Sequence, residues 1–545
     1  YFNQFTCTLR GELDVPAFQA AWEMVAARHA ALRTSFHWRD LARPLQIVRT
    51  QVEIPWSVND WSSLPQQEQQ RRWRVEADGD RGRPFDLSTP PLMRCALSRT
   101  GPEVHLFRWS QHHLLLDGWS SAIVLNEVLA AYDARARGIR YQAPTPPRFR
   151  DSVVWVQRQD HAAAEQFWRQ HLDGFTSATP LILGLPEMEG RTEPQRFAEA
   201  ETRLPTALSQ RLRATAAAQQ VTLNTLFLGA WAMVLSRHSG EGDVVFGAIA
   251  SGRSAALEGS DRMVGLFINT IPVRAQIDPD ALTFAWLRDL QRASADRDAY
   301  SYSSLADVQR WSQVEGGASL FETILIFENY PVATSLADGR HLLAVEQVQA
   351  FEPNNYPITF VVTPGDSIAL KIMFDEGRFD RATIDRVLGH VEILLNQIDA
   401  DPNRKLGALS IMSAKERTRV DTWNSTERAL PPGETVLSLI EARARATPDR
   451  TAVAFEGTAM TYGELDRQAT RLARGLRASG RIVPEARVVV LLRRSAQLPM
   501  TILALWKCGA VYVPVDPDYP TERITTIVTN AKAALVIADR AELGV

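Results

Sequence analysis

The sequence is poor in cysteine and in lysine, and both shortages restrict what the chain can be. Its 545 residues include only three cysteines, Cys7, Cys95 and Cys508, which lie far apart without any C-x-x-C spacing. Three widely separated cysteines favour neither a disulfide framework nor a zinc site. They fit a reducing, cytoplasmic environment. Only five of the 60 basic residues are lysine, a bias that indicates a GC-rich, bacterial genome.

Long apolar runs and net charge are lacking as well. The longest apolar run, near Leu226 to Leu235, is shorter than the roughly 18 residues needed to cross a bilayer, and no signal peptide opens the chain. With 60 basic and 63 acidic residues, the formal net charge of -3 is too small to attract nucleic acid or an anionic membrane. Partners must therefore be recognised by shape and local contacts. The first residues, YFNQF, have the pattern of a strand inside a domain, so we expect a fragment of a longer protein.

The chain has instead the composition and patterning of a folded α/β protein. Its 45% apolar and 23% charged residues are close to globular averages, and its length predicts two or three compact units. Residues 5–10 alternate like a strand, and apolar residues at helical spacing follow from Asp14. After a Pro-rich hinge at 143–147, one amphipathic helix is predicted to include Val154 and Trp168.

A similar order of elements begins again in the second half. A strand is predicted from Phe197, a long helix over Leu223 to Arg237 and another strand over Val244 to Ile249. The two halves therefore predict two similar α/β units. Between Ser413 and Glu434 the sequence is polar without an apolar period, which indicates a linker before a further region of helix and strand alternation.

The residues that carry chemistry are in the segment HHLLLDG, His112 to Gly118. An alternating run over 104–110 predicts a strand that leads into the two histidines, and a helix is predicted from near Ser120. His113 can contact an incoming amine and its proton, because an imidazole is largely neutral near physiological pH. Backbone N–H groups at Gly118 and Ser120, with the positive end of the helix dipole, can stabilise a developing oxyanion.

The neighbouring residues are interpreted as supports. His112 and His113 are adjacent and point to opposite sides of an extended chain, which disfavours metal binding and makes His112 the structural member. Asp117 is expected to be a buried acid paired with an arginine. The sequence does not choose the partner of Asp117 from its three candidates, which are Arg28, Arg33 and Arg274.

These motifs resemble the condensation domains of nonribosomal peptide synthetases, which share the chloramphenicol acetyltransferase-like fold. HHLLLDG is similar to the family signature HHxxxDG, and further segments resemble family motifs in the right order. These are RHAALRTSF (28–36), PFDL (84–87) with Pro91-Leu92, the region 150–155, Phe167-Trp168, DVVFGAIASGR (243–253), MVGLFINTIPVR (263–274) and LFETILIFENYP (320–331). The resemblance covers residues 1 to about 410.

The resemblance implies a fold, a reaction and partners. It implies two lobes in a V-shaped pseudo-dimer, at 1–190 and 191–410, and a linker at 411–432. It makes His113 the central catalytic side chain, either as a base or as a positioning group, Asp117 the structural acid and Gly118 a backbone contributor. Two carrier proteins would supply donor and acceptor on phosphopantetheine arms through opposite mouths of a tunnel, and the condensation domain itself would bind no cofactor or metal.

The last region, 433–545, resembles the beginning of an adenylation domain. TYGEL (461–465) alone is a weak signal, whereas KCGAVYVPVDPDYPTERI (507–524) is specific. The resemblance implies that ATP and magnesium are used only by a complete adenylation domain.

Two other functions stay open at this point. One is a stand-alone acyltransferase of the same fold that uses a soluble CoA thioester, which the adenylation motifs disfavour. The other is a catalytically silent module that docks carriers, which the intact histidine motif disfavours. Heterocyclization domains have aspartates in place of the histidines, and epimerization domains are followed by another condensation domain. The amino acids joined and the chirality of the donor are not determined by this sequence.

Overall fold

The structure is a computed structural model that describes residues 2–181, 197–314, 318–328, 340–429 and 432–539. The chain folds as two compact units, Tyr1–Val420 and Asp421–Val545. Within the described ranges, no helix is long and apolar enough to cross a membrane.

The first part of the larger unit confirms the strand predicted at residues 5–10 and the strand before the histidines. Its elements are β1 (Phe2–Arg10), α1 (Val15–Arg28), β2 (Thr34–His37), β3 (Leu45–Val48), β4 (Trp56–Asp60), α2 (Gln66–Arg81), β5 (Met93–Gly101), β6 (Val104–His112) and α3 (Gly118–Ala136). Helices α1 and α3 pack against each other, and the core of this part includes Phe18, Trp22 and Trp109.

The second part of the larger unit confirms the strand, long helix and strand predicted from Phe197 onward. Its elements are α4 (Phe149–Gln157), α5 (His161–His171), β7 (Phe197–Arg203), α6 (Thr206–Ala218), α7 (Leu223–Ser239), β8 (Asp243–Ala250), β9 (Asn269–Gln276), α8 (Thr283–Asp298), α9 (Leu305–Trp311), β10 (Thr323–Phe327), β11 (Ala344–Phe351), β12 (Ile358–Thr363), β13 (Ala369–Asp375) and α10 (Arg381–Ala400).

These strands form two larger sheets. The first sheet has five strands in the order β11-β1-β6-β5-β4, and the second has six in the order β7-β13-β12-β10-β8-β9. The second sheet packs against a core that includes Trp231 and Phe360.

Strand β11 comes from the second half of the sequence but lies in the first sheet. It pairs antiparallel with β1, with Gln4 opposite Phe351 and Arg10 opposite Ala344. The first sheet is therefore completed by a strand that begins more than 200 residues after β6. The predicted boundary between residues 190 and 191 lies outside the described residues.

One local prediction is wrong in detail, and one segment contains a helix that the sequence analysis did not predict. The single amphipathic helix expected after the Pro-rich hinge is two helices, α4 and α5, because Asp160 caps a new helix by accepting the N–H of Ala163 at 2.9 Å. The polar linker contains a helix, α11 (Ala414–Asn424), which buries no side chain. Ser413 and Glu416 form reciprocal capping hydrogen bonds that begin this helix without an apolar face.

The smaller unit alternates helix and strand, as its sequence predicts. Its elements are α12 (Val436–Ala446), β14 (Thr451–Phe455), β15 (Thr458–Thr461), α13 (Tyr462–Ala478), β16 (Arg487–Leu491), α14 (Gln497–Lys507), β17 (Val511–Pro514), α15 (Thr521–Ala531) and β18 (Leu535–Ala538). A three-stranded parallel sheet has the order β17-β16-β18, and β14 and β15 form a separate hairpin. Helix α13 has a capping box between Thr461 and Glu464, so TYGEL is a helix start here.

Candidate active site

The two histidines lie where strand β6 ends and helix α3 begins, as the sequence predicts. His112 is the last residue of β6, opposite Phe2 of β1, and Gly118 is the first residue of α3. Between them, the side chains of Leu115 and Leu116 are buried in the core of the first sheet. The turn is therefore fixed by its apolar residues, and the half-buried His113 precedes them.

The hydrogen bonds of His113 define which ring nitrogen carries the proton. Its Nδ1 lies 2.9 Å from the carbonyl oxygen of Leu116. A carbonyl oxygen can only accept, so Nδ1 must be the protonated nitrogen of the neutral ring. The lone pair is therefore on Nε2, and this atom can accept a proton from a substrate.

His112 has the opposite tautomer. The backbone N–H of Leu114 donates to His112 Nδ1 at 3.1 Å, so the lone pair is on Nδ1 and the proton of the neutral ring is on Nε2. Burial lowers the pKa of His112 to about 4, so this ring is neutral near physiological pH. His112 thus fixes the turn that carries His113.

Asp117 is a fully bonded structural acid. It is 1% exposed, and as the N-cap of α3 its Oδ1 accepts the backbone N–H of Ser120 at 2.7 Å. Its Oδ2 accepts the backbone N–H of Phe267 at 3.0 Å. A guanidinium nitrogen of Arg253 lies 3.2 Å from Oδ1. A buried carboxylate with these partners is suited to hold the loop.

The arginine beside Asp117 is Arg253, which was not among the three expected partners. The Arg253 side chain is 6% exposed, donates to Ser120 Oγ at 2.7 Å and to the carbonyl of Met263 at 2.9 Å, and lies over the Phe267 ring at 4.1 Å. It connects the start of α3 to the segment before β9. This contact joins residues 136 positions apart, which is why sequence spacing did not find it.

The three expected arginines have other partners in the structure. Arg28 pairs with Glu127 at 3.0 Å, because both lie where α1 packs on α3. The Nε–H of Arg33 donates to the backbone carbonyl of Ala26 at 3.0 Å. Arg274 on β9 pairs with Asp243 of the neighbouring strand β8 at 2.7 Å. The prediction that one of them pairs with Asp117 is therefore wrong.

Two glycines allow the loops around Asp117 to approach one another. Gly252 has a φ of +64°, and a Cβ at this position would lie 1.9 Å from the carbonyl oxygen of Phe267. A Cβ on Gly265 would lie 2.1 Å from the ring of Phe149. The N–H of Gly265 donates to Ser120 Oγ at 3.1 Å, and that hydroxyl lies 2.6 Å from the Gly265 carbonyl. The start of α3 is thereby bound to the second half of the unit.

Gly118 supplies the helix start that the sequence predicted. It is the first residue of α3, and the first N–H groups of a helix have no acceptor one turn earlier in the helix. Together with the helix dipole, these groups favour a negative charge. The start of α3 can therefore stabilise an oxyanion beside His113. The expectation that the Ser120 N–H is available to an oxyanion is wrong, because this N–H donates to Asp117 Oδ1 at 2.7 Å.

A carboxylate that the sequence did not single out lies near His113. Glu352 follows β11, and Asn3 of β1 donates to its Oε1 at 3.4 Å. The residue is exposed to solvent, and protein atoms crowd around its carboxyl group. Burial raises the pKa of Glu352, and the nearby imidazole of His113 partly opposes this rise. The pairing of β11 with β1, which no local pattern indicates, places this residue there.

In the part of the chain that the structure describes, no group of three or more His, Cys, Asp or Glu side chains could hold a metal ion. One ring nitrogen of each histidine in the motif is engaged by the backbone of the turn.

Family models match the greater part of the chain. The family model described as condensation domain matches residues 1–420, and the model described as AMP-binding enzyme matches residues 440–544. One of the linear gramicidin synthase proteins of Brevibacillus parabrevis is 40% identical over 541 residues, which is 99% of this chain and 7% of that protein. Bacitracin synthase 3 of Bacillus licheniformis is 31% identical over 544 residues, 99% of this chain and 8% of that protein. The chain thus spans less than a tenth of either relative.

Solved structures share the mixed α/β fold. The nonribosomal peptide synthetase FmoA3 aligns over 100% of this chain and 56% of its own, with a TM-score of 0.72 and 20% identity. The X-domain from teicoplanin biosynthesis, solved in complex with OxyB, aligns over 76% of this chain and 91% of its own, with a TM-score of 0.62 and 22% identity. The chain belongs to the condensation-domain family of nonribosomal peptide synthetases, peptide-bond-forming acyltransferases, and its last hundred residues match AMP-binding enzymes.

Proposed function

We propose that this chain joins a donor acyl or peptidyl thioester to the amine of an acceptor aminoacyl thioester. Both substrates are carried on the phosphopantetheine arms of carrier proteins, upstream for the donor and downstream for the acceptor. The observation that carries the proposal is the tautomer of His113, whose Nδ1–H donates to the Leu116 carbonyl and leaves Nε2 able to accept a proton.

The proposed reaction uses this nitrogen twice. The acceptor amine attacks the thioester carbon, a C–N bond forms, and the proton released from nitrogen passes to His113 Nε2. The N–H groups of the first two residues of α3, Gly118 and Trp119, stabilise the oxyanion of the tetrahedral intermediate. When the intermediate collapses, the C–S bond breaks, and the thiolate of the donor arm takes the proton from His113. The products are the amide on the acceptor arm and a free pantetheine thiol.

The other residues of the motif support this step. His112 fixes the turn through the N–H of Leu114, and Asp117 with Arg253 binds the start of α3 to the segment that ends at Phe267. We propose Arg253 as the support in place of Arg28, Arg33 and Arg274. A shift of this network would move the helix start relative to His113, and catalysis is sensitive to such displacement.

The test is His113→Ala in a condensation assay with two loaded carriers. Loss of proton transfer predicts a rate about 10² to 10⁴ times lower than that of the native chain. His37→Ala is the matched control, because His37 lies on the β2-β3 hairpin, outside the motif, and should leave the rate unchanged. Dipeptide formation by His113→Ala at the native rate would overturn the assignment, and melting curves of both variants check the fold.

A docking function is a second candidate, because the X-domain solved in complex with OxyB shares this fold. An inactive native chain with correctly loaded carriers would favour it. The choice of donor distinguishes the proposed function from a CoA-dependent acyltransferase. Faster turnover with free acyl-CoA than with a carrier-bound donor would favour the CoA-dependent activity. The AMP-binding match after the condensation domain supports carrier-bound substrates.

The finer features of the proposal follow the family resemblance. We propose two lobes in a V-shaped arrangement with a substrate tunnel between them, with boundaries at 1–190, 191–410, a linker at 411–432 and an adenylation region at 433–545. ATP and magnesium would serve only a complete adenylation domain, and a cytoplasmic location stays a prediction from the cysteine content.

A further inference from the structure

Glu352 belongs to a row of polar side chains that crosses the end of the first sheet. It comes directly after β11, which pairs with β1, and the Nδ2 of Asn3 on β1 donates to Glu352 Oε1 at 3.4 Å. Asn3 in turn lies opposite Gln111 of β6, whose Nε2 donates to Ser121 Oγ of α3 at 3.2 Å. Side chains directly opposite each other share one face of a sheet. The row therefore leads from Glu352 to the start of α3, beside the histidine turn.

Glu352 and His113 are near enough to interact through their charges. Adjacent strands are about 4.8 Å apart, so two strand spacings, about 10 Å, separate the backbone of Glu352 from that of β6. His113 follows the last residue of β6, and the positive charge of its protonated ring lowers the pKa of Glu352. A small group bound between the two side chains can therefore contact both of them.

The surroundings of Glu352 make its carboxylate a better proton acceptor than an ordinary surface carboxylate. Desolvation by the crowded protein atoms has the largest influence and raises the pKa of Glu352. The charges of Glu328 and Asp117 raise this pKa further, whereas those of His113 and Lys371 lower it. A carboxylate with a raised pKa takes a proton more readily, which is what a general base requires.

The proposed reaction has one proton that His113 does not carry. An α-amine has a pKa of about 7.7–8.0, so the acceptor is largely an ammonium at neutral pH. An ammonium has no lone pair and must lose a proton before its nitrogen can attack. His113 takes the next proton, from the attacking nitrogen, and returns it to the thiolate. Overall, an ammonium and a thioester give an amide, a thiol and one released proton.

We infer that Glu352 binds the ammonium of the acceptor beside His113, takes its first proton and passes that proton to solvent. The inference rests on the proposed function. In this step an N–H bond breaks, an O–H bond forms on Glu352, and the electron pair left on nitrogen attacks the thioester carbon. The bound ammonium keeps the carboxylate ionised until the transfer, because a nearby opposite charge favours the charged form. Glu352 is exposed, so water can remove the proton afterwards.

The experiment measures the condensation rate of Glu352→Gln against pH in the full 545-residue chain. Glutamine keeps the size of the side chain and an oxygen that accepts from Asn3, but it cannot take the proton. With an amine pKa of about 7.8, about one acceptor in twenty is neutral at about pH 6.5, and nearly all are neutral at about pH 9. We expect Glu352→Gln to be about twentyfold slower than the native chain at the lower pH and within about twofold of it at the higher pH.

Glu346→Gln is the matched control, because it makes the same change on the same strand. Glu346 lies on β11, is exposed and pairs with Arg10 of β1 at 2.6 Å. An exposed pair of this kind contributes little to stability. This variant should therefore condense at the native rate at both pH values.

An acceptor that carries an aminooxy group in place of its amine tests the proton transfer directly. Its nitrogen is already neutral across this pH range, so Glu352→Gln should use it at the native rate at either pH. A slower rate with this acceptor would make Glu352 a structural residue and overturn the inference. With the ordinary acceptor, a loss of the same size at every pH, or no loss at all, would overturn it as well.

His113→Ala in the same assay separates this inference from the proposed function. A native chain that does not condense loaded carriers, or His113→Ala at the native rate, would contradict the proposed reaction, and the role of Glu352 would fall with it. If His113→Ala is slow at every pH while the rate ratio of Glu352→Gln to the native chain does not change with pH, the role of Glu352 alone is overturned.

Discussion

Arg253 and Arg297 line the same cavity, are both almost completely buried, and differ in their partners. Arg253 donates to Asp117, to Ser120 and to backbone carbonyls, and it lies over the Phe267 ring. Arg297 donates to Ser294, and two of its nitrogens have no partner within the described ranges. Two almost completely buried arginines in the wall of one cavity therefore differ in how many hydrogen bonds hold them.

The largest effect that this comparison predicts is at Arg253. Arg253→Met leaves the carboxylate of Asp117 buried without its cation, and breaking a buried pair in this way costs about 3–5 kcal/mol. Denaturant unfolding followed by tryptophan fluorescence should show this loss, and condensation should be abolished. Arg71→Met, which removes an exposed pair with Glu68, is the control and should leave stability almost unchanged. Equal losses for both variants would contradict the supporting role of Arg253.

A smaller effect is predicted at Gly252, the residue before Arg253. Gly252→Ala places a methyl group against the Phe267 carbonyl and keeps a positive φ, so the loop that donates to Asp117 must move. We expect the free energy of unfolding to fall by about 2–4 kcal/mol and the condensation rate to fall as well. The steric clash of the added methyl group adds to the cost of the positive φ.

Gly138→Ala separates the two contributions. Gly138 has a similar φ of +68° but nothing within 4 Å of an added Cβ, so its substitution should cost only about 1–2 kcal/mol. If Gly252→Ala is no more destabilising than Gly138→Ala, the close approach to Phe267 does not support the site.

Local patterns predicted the elements around the site. The alternation over 104–110 and the apolar residues after Gly118 place the histidines between β6 and α3, because strand and helix periodicities are properties of neighbouring residues. The linker helix was missed although its signal, Ser413 three residues before Glu416, was present. That signal is a capping box, and it needs no apolar period.

Contacts between distant parts of the sequence were not predictable in this way. Arg253 ends the segment DVVFGAIASGR, so the residue stood within a recognised motif, but nothing local indicates that it pairs with Asp117. The position of Glu352 depends on β11 joining the first sheet. The unmet donors of Arg297 depend on which residues surround α8. Each of these requires the packed structure.

The smallest predicted effect concerns His171, whose pKa depends partly on Arg297. Burial first, and then the positive charges of Arg297 and Arg274, lower the pKa of His171 to about 4, against a weak opposing effect of Asp296. The unfolded chain takes up a proton at His171 near pH 6.5, whereas the folded chain does so only near pH 4. Between these values protonation favours the unfolded state. The contribution of His171 to the free energy of unfolding is therefore complete above about pH 6.5 and is lost as the pH falls toward 4.

The pKa of His171 reports on the charge of Arg297, so removing this charge tests the difference between Arg297 and Arg253. In Arg297→Met the folded pKa of His171 should rise, so the variant should lose less stability than the native chain between about pH 6.5 and about pH 4. Unfolding free energies measured across this range test it. His171→Gln is the background in which the part of the change that is due to His171 should vanish, which leaves the part due to Asp298, whose pKa is raised by burial and lowered by the charge of Arg297. Arg253 is not among the groups that lower the pKa of His171, whereas Arg297 acts on it directly. An unchanged pH dependence in Arg297→Met would contradict a direct action of the Arg297 charge on the pKa of His171.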